Sequence, residues 1–160
     1  MRAAIKPGKQ SAVFSSCGRY RYGLSRVWDE RKPVLLFIML NPSTADAEQD
    51  DPTIRRCIAF AKSWGYGGLL AGNLFGLRAT DPSLLYENSD VVGEENDKHL
   101  IQMAALCKRV VFAWGNHGIL HERGIAVKSL FPKAWCIGKN KNGQPRHPLY
   151  LSADSKLIRF

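Results

Sequence analysis

Three side chains able to do chemistry stand far apart in the sequence, Asn41, Asn73 and His147. Asn41 follows the apolar run 34–40 and precedes Pro42, so its amide is fixed just outside a rigid strand. An amide is no strong base, yet it orients a water or holds a polar group through paired donor and acceptor. The competing reading is an Asx turn that closes the strand. Asn73 lies inside the apolar stretch 69–75, where an amide costs free energy unless it finds partners. The same side chain can read a base edge, or it is a buried polar residue satisfied at a strand terminus. Gly72 before it would let a flat ligand approach the backbone. His147, between Arg146 and Pro148, can donate a hydrogen bond to an anionic oxygen while neutral, or is a solvated loop histidine.

Other polar groups carry weaker signals. Asp46, Glu48, Asp50 and Asp51 form an acidic run that capping and solvation largely explain, with Asp46 able to face a loop cavity and polarise water. His117 and His121 are four apart on an expected helix and would supply half a metal site. Nothing supplies the remaining ligands, so they read as helix-surface or capping histidines, and no metal is assigned.

The elements that must position these groups follow from periodicity. Residues 13–28 read as a hairpin, with Arg19 and Arg21 on one face and Tyr20 and Tyr22 on the other. Residues 34–40 read as a strand buried on both faces of a parallel sheet. Asp51 caps the next helix and Pro52 suits its first position; Ile54, Cys57, Ile58, Ala61 and Trp64 follow helical spacing. Strands are expected over 69–74, 109–114 and 135–138, and helices over 92–107 and 119–130. The alternation implies a single α/β domain over 1–160, a three-layer sandwich with a parallel sheet of about four strands plus the N-terminal β-hairpin. Right-handed crossovers put the strand ends on one edge, where ligands of open α/β sheets bind. Asn41-Pro42-Ser43, Asn73 and Asn116-His117 sit at strand ends, and the tail bearing His147 leaves the fourth strand on the same edge, so a site is expected there.

Composition bounds the setting. The 160 residues match one domain, and 45% hydrophobic with 23% charged side chains argues against a disordered chain. No apolar run approaches a membrane span, and residues 1–7 lack an apolar leader segment. Cysteines 17, 57, 107 and 136 form no C-x-x-C pair and fit free thiols in a reducing cytoplasm. The net charge of +9 divides into +6 over residues 1–45, −5 over 46–100 and +8 over 101–160. A positive face built from the two chain ends suits a polyanion, or marks a merely soluble basic protein.

Two resemblances attach to these residues. Leu40-Asn41-Pro42-Ser43-Thr44-Ala45-Asp46, the segments 51–57, 64–68 and 73–82, Cys17-Gly18-Arg19-Tyr20-Arg21-Tyr22 and Ala113-Trp114-Gly115-Asn116-His117 together resemble a bacterial and phage domain-of-unknown-function family over nearly the whole chain. More distantly, Met39-Leu40-Asn41-Pro42-Ser43 resembles the first motif of the uracil-DNA glycosylase superfamily, in its asparagine version. Asn73 matches that superfamily's base-reading asparagine in position, and Arg146-His147-Pro148-Leu149-Tyr150-Leu151-Ser152 loosely resembles its last motif. The chain departs from the pattern at Met39 and Ser43, where glycines are usual, and lacks the second proline of the last motif.

This second resemblance implies a uracil-DNA glycosylase-like fold and a monofunctional enzyme that hydrolyses the N-glycosidic bond of a flipped, damaged or modified base in DNA, without a cofactor. Asn41, aided by Asp46, would place the water, Asn73 would hold the base edge and His147 would stabilise negative charge on the departing base. Pro42 belongs to the same loop. Ser43, Thr44, Ser152 and Lys156 would contact phosphate, and Phe75 or Tyr66 would stack on the base. No lysine follows the first three strands to form a Schiff base, although Lys139 follows the fourth. The alternatives are a non-catalytic module that binds nucleic acid or a nucleotide in the same pocket, and a domain whose basic face, with Arg19 and Arg21, meets an acidic protein.

Overall fold

The strand over Val34–Met39 is apolar at every position and buried throughout, which places it at the centre of the sheet. The computed structural model describes residues 10–160, so the reading of residues 1–7, and Arg2, Lys6 and Lys9 of the basic N-terminal third, fall outside the described residues. In chain order the elements are β1 (Ser11–Phe14), β2 (Arg21–Val27), β3 (Val34–Met39), α1 (Pro52–Ser63), β4 (Gly68–Asn73), α2 (Leu84–Glu87), α3 (Asn96–Ala105), β5 (Arg109–Phe112), α4 (Arg123–Leu130), β6 (Trp135–Cys136) and β7 (Ile158–Arg159). Short 3₁₀ turns cover Asn116–Glu122 and Pro148–Tyr150.

The strands form one seven-stranded sheet in the order β1-β2-β4-β3-β5-β6-β7. Strands β4, β3, β5 and β6 run parallel, but β1 with β2, β2 with β4, and β6 with β7 pair antiparallel. The fold is therefore α/β with a mixed sheet, wider than the parallel sheet of about four strands expected from the sequence. The difference arises at the edges. The hairpin docks its second strand onto β4, giving that strand's outer backbone groups partners, and the two-residue β7 does the same for β6.

Helix α1 covers one face, burying Ile54, Cys57, Phe60 and Ala61 with Leu35, Phe37 and Leu69. Helices α3 and α4 cover the other, where Leu100, Met103 and Val127 pack on Leu36, Ile38 and Phe112. Asp51 caps α1 by accepting from Ile54 N at 2.8 Å, with Pro52 at the first position, as the sequence implies. Gly72 faces the α3 side: a Cβ there would lie 2.4 Å from Leu100 Cδ2, so its smallness admits a helix and not a flat ligand.

The expected helix over 119–130 begins only at Arg123. His121 and Glu122 adopt positive φ (52° and 55°), and residues 116–122 turn tightly over Trp114, whose Cδ1 would lie 2.1 Å from a Cβ at Gly118. His117 and His121 are thus not successive turns of one α-helix. His117 Nδ1 shares a hydrogen bond with Tyr86 Oη at 3.0 Å, while His121 meets the edge of Phe75. Helix α3 also starts late, at Asn96, whose side chain is spent on the end of β4: Nδ2 donates to Asn73 O at 2.8 Å.

Candidate functional site

Beyond the carboxyl ends of β3, β4 and β5 a cavity of about 740 Å³ opens between the start of α1 and the tail around residues 140–151. Asn41, Ser43, Asn73 and His147 all line it. Groups separated by more than a hundred positions in the chain meet because parallel strands end on one edge.

Asn41 is held by the loops it joins. Its Nδ2 donates to Ala79 O at 2.8 Å and to Pro42 O at 3.1 Å, while Ala79 N donates back to Pro42 O at 2.9 Å. Both amide protons are therefore used, which fixes the amide orientation and leaves Oδ1 as a free acceptor among the described residues. Pro42 is buried behind this contact and does not line the cavity.

Asn73 ends β4, level with Met39 of β3. It is 1% exposed, and neither Oδ1 nor Nδ2 has a partner among the described residues. The backbone behind it is fully engaged: Asn73 O and Leu74 O accept from Asn96 Nδ2, and Leu74 O also accepts from Arg123, itself paired with Asp97 at 2.7 Å. An orphaned amide of this kind costs about 1–3 kcal/mol. A buried amide that borders a cavity with both hydrogen-bonding functions unused is able to pair with a group that offers a complementary donor and acceptor.

His147 starts the 3₁₀ turn, with Pro148 at the turn's first position, and its Nδ1 accepts from Leu149 N at 3.3 Å. The ring proton of the neutral imidazole accordingly sits on Nε2. Burial pushes the imidazole below its ordinary range, partly offset by the Asp51 charge, so the neutral donor is the prevailing form at neutral pH. Gly115, at φ 75°, brings the loop after β5 beneath this histidine, and its N–H donates to Pro145 O at 2.9 Å.

Arg21 and Asp51 complete the polar lining. A bulge in β2, where Val13 pairs with Gly23 but Phe14 with Arg21, turns Arg21 toward α1 while Tyr22 packs on the α3 side against Tyr20. Arg21 is 2% exposed, its Nη1 donates to Ala45 O at 2.7 Å and its Nε has no partner among the described residues. Burial lowers its pKa to about 10, still cationic at neutral pH. Tyr20 and Tyr22 share the α3 side as expected, but the arginines do not share the other: the Arg19 guanidinium lies 5.6 Å from the centroid of the Tyr20 ring, and Arg21 is a buried lining group and not part of a basic surface. Asp51 is the one carboxylate among the lining residues; its Oδ1 is occupied by the helix cap.

The remaining expected site residues are not brought in. Asp46 accepts from Glu48 N and Gln49 N in a tight turn, its backbone oxygen is held by Arg26, and it does not line the cavity. Thr44 is exposed and outside it. Phe75 is fully buried in the core on the α3 side, and Tyr66 lies at the opposite edge of the sheet, so neither can stack on a ligand here. Ser152 is bonded to Asp154. Lys156 lies beside Lys108 and Arg109, at the starts of the parallel strands. Lys139 donates to Phe160 O. In their place the structure adds Trp114, whose Nε1 donates to Gln144 Oε1 at 2.8 Å, and the rim residues Asn140, Arg146 and the 91% exposed Tyr150. Asp51 was legible only as a cap and Arg21 only as a hairpin position; their meeting is tertiary.

Comparison with curated proteins and with solved structures gave no match. The family described as a protein of unknown function, DUF1643, matches residues 21–149, most of the chain and every residue lining the cavity except Tyr150 and Leu151. The chain belongs to the DUF1643 family.

Proposed function

We propose that this protein binds a nucleobase in the cavity at the strand ends and hydrolyses its N-glycosidic bond, the base being one turned out of DNA. The observation that carries the proposal is the convergence of three polar groups in one cavity: an unpartnered amide at Asn73, a free acceptor at Asn41 and a neutral imidazole with its proton on Nε2 at His147.

In this reading the base edge takes up the donor and acceptor of Asn73. A water accepted by Asn41 Oδ1 attacks the anomeric carbon as the bond to the base nitrogen breaks, and the electron pair leaves with the base. His147 Nε2–H stabilises the negative charge that develops there, a contribution of several kcal/mol in a dry site. Asp51 replaces Asp46 as the carboxylate positioned to take the proton of the water.

One observation favours the second reading, a binding module with the same pocket. Oδ1 of Asp51 is committed to Ile54 N, which leaves one carboxylate oxygen for a water.

The test is incubation with labelled duplexes carrying uracil, mismatched or modified bases, scored for abasic sites. Release that disappears in Asn41→Ala and His147→Ala supports hydrolysis. Tight, salt-dependent binding lost in Asn73→Ala, with no abasic product on any duplex, supports the module.

A further inference from the structure

The edge of the sheet opposite the candidate cavity carries a second recess that the proposed chemistry does not use. Two adjoining cavities, of about 410 and 550 Å³, share Lys108 and Arg109 where β5 begins. Lys156 borders the first; Lys133 and Arg159 border the second. No carboxylate lines either one, and none of the five cations is in an ion pair among the described residues. Asp154 lies within electrostatic reach of Lys156 but outside both cavities, and the other four charges have no carboxylate among the lining residues. A cluster of positive charges of this kind is costly to bring together and is stabilised by a polyanion.

Two of the cations are fixed in place. Arg109 lies 4.4 Å and Arg159 4.2 Å from the centroid of the Trp135 ring, and Arg159 Nη1 also donates to Lys133 O at 2.9 Å. Strand pairing sets this arrangement, because Trp135 stands opposite Arg159 in the antiparallel pair and next to β5 in the parallel one. Guanidinium planes immobilised on an aromatic ring lose little further freedom when they take a phosphate, unlike free lysines. The floor between the cations is apolar, with Phe131 in one cavity and Trp64 in the other.

We infer that this recess is a second nucleic-acid site, which holds the backbone of a single strand on Lys108, Arg109, Lys133, Lys156 and Arg159 with bases against the apolar floor. The apolar floor between fixed guanidinium groups favours a strand of nucleotides over an acidic peptide, which has carboxylates but no flat rings to cover it. The inference stands apart from the reading of the cavity at the other edge.

The test is fluorescence anisotropy with a labelled oligothymidylate of about 12 nucleotides, titrated at several salt concentrations. Lys108 and Lys156 are exposed and make no side-chain hydrogen bond among the described residues, so Lys108→Glu with Lys156→Glu leaves the fold intact. The double variant is expected to bind about tenfold more weakly at low salt, with the slope of log K against log salt shallower by about 1.4, the value for two lost phosphate contacts on a single strand. Unchanged binding in the double variant overturns the inference. So does polyglutamate of equal charge binding as tightly as the oligonucleotide, which would make the surface one for acidic proteins. If Asn73→Ala weakens oligonucleotide binding and the double variant does not, the strand occupies the other cavity; the recess is then rejected while the proposed function stands.

Discussion

Asn41 and Ala79, thirty-eight positions apart, are joined by a 2.8 Å hydrogen bond from the Asn41 amide to the Ala79 carbonyl oxygen. This contact and its counterpart from Ala79 N to Pro42 O tie the loop after β3 to the loop that follows β4. They also decide which end of the Asn41 amide faces the cavity.

The first prediction concerns that orientation. Asn41→Asp replaces a donor with a second oxygen and sets it against the carbonyls of Ala79 and Pro42. The substitution is expected to destabilise the protein by about 1–3 kcal/mol, more than Asn41→Ala, which removes the bonds without adding charge. Urea denaturation at neutral pH measures both. Equal stability of Asn41→Asp and the parent would mean that the amide points the other way.

Asn73 predicts the opposite sign. Its amide is buried with neither function satisfied, so Asn73→Leu removes an uncompensated polar group. The variant is expected to gain about 1 kcal/mol, raising the thermal midpoint by about 2–4 °C, while it loses affinity for any base-bearing ligand. A gain in stability bought by loss of binding marks a group kept for function. A marked loss of stability would show that the amide has a structural partner.

His147 predicts a pH effect. Burial holds its folded-state pKa below the ordinary value of about 6.5. Between the lowered value and about 6.5 the unfolded chain binds the proton and the folded chain does not, so stability rises with pH across that window and is lost as pH falls through it. His147→Gln is expected to flatten this part of the stability–pH curve, read from denaturation midpoints between pH 5 and 8. A curve with the same slope in the variant would assign the effect to another group.

The cysteines separate into one reactive and three protected thiols. Cys17 is exposed, and the Ser15 hydroxyl with the Arg19 backbone holds its pKa below the usual thiol range. Burial pushes Cys107 up to about 12 and raises Cys57 and Cys136 as well. Iodoacetamide at pH 7.5 is expected to modify one site rapidly in the native protein, and Cys17→Ser should abolish that labelling in intact-mass spectra.

By itself the sequence determined the central parallel strands, helix α1 with its Asp51 cap, and the location of Asn41, Asn73 and His147 at or beyond strand ends. These follow from local patterns: runs of buried apolar residues, helical spacing and a capping side chain act within a few residues of themselves. It did not determine the antiparallel strands added at both edges, because the pairing of β2 with β4 and of β7 with β6 depends on backbone groups left open by distant segments. Tertiary structure alone decided that Arg21 and Asp51, and not Asp46, Thr44 or Phe75, share the cavity with the three polar groups. It also sent Lys156 to the far edge. A one-residue bulge and the route of the tail aim those side chains, and neither leaves a periodic mark in the sequence.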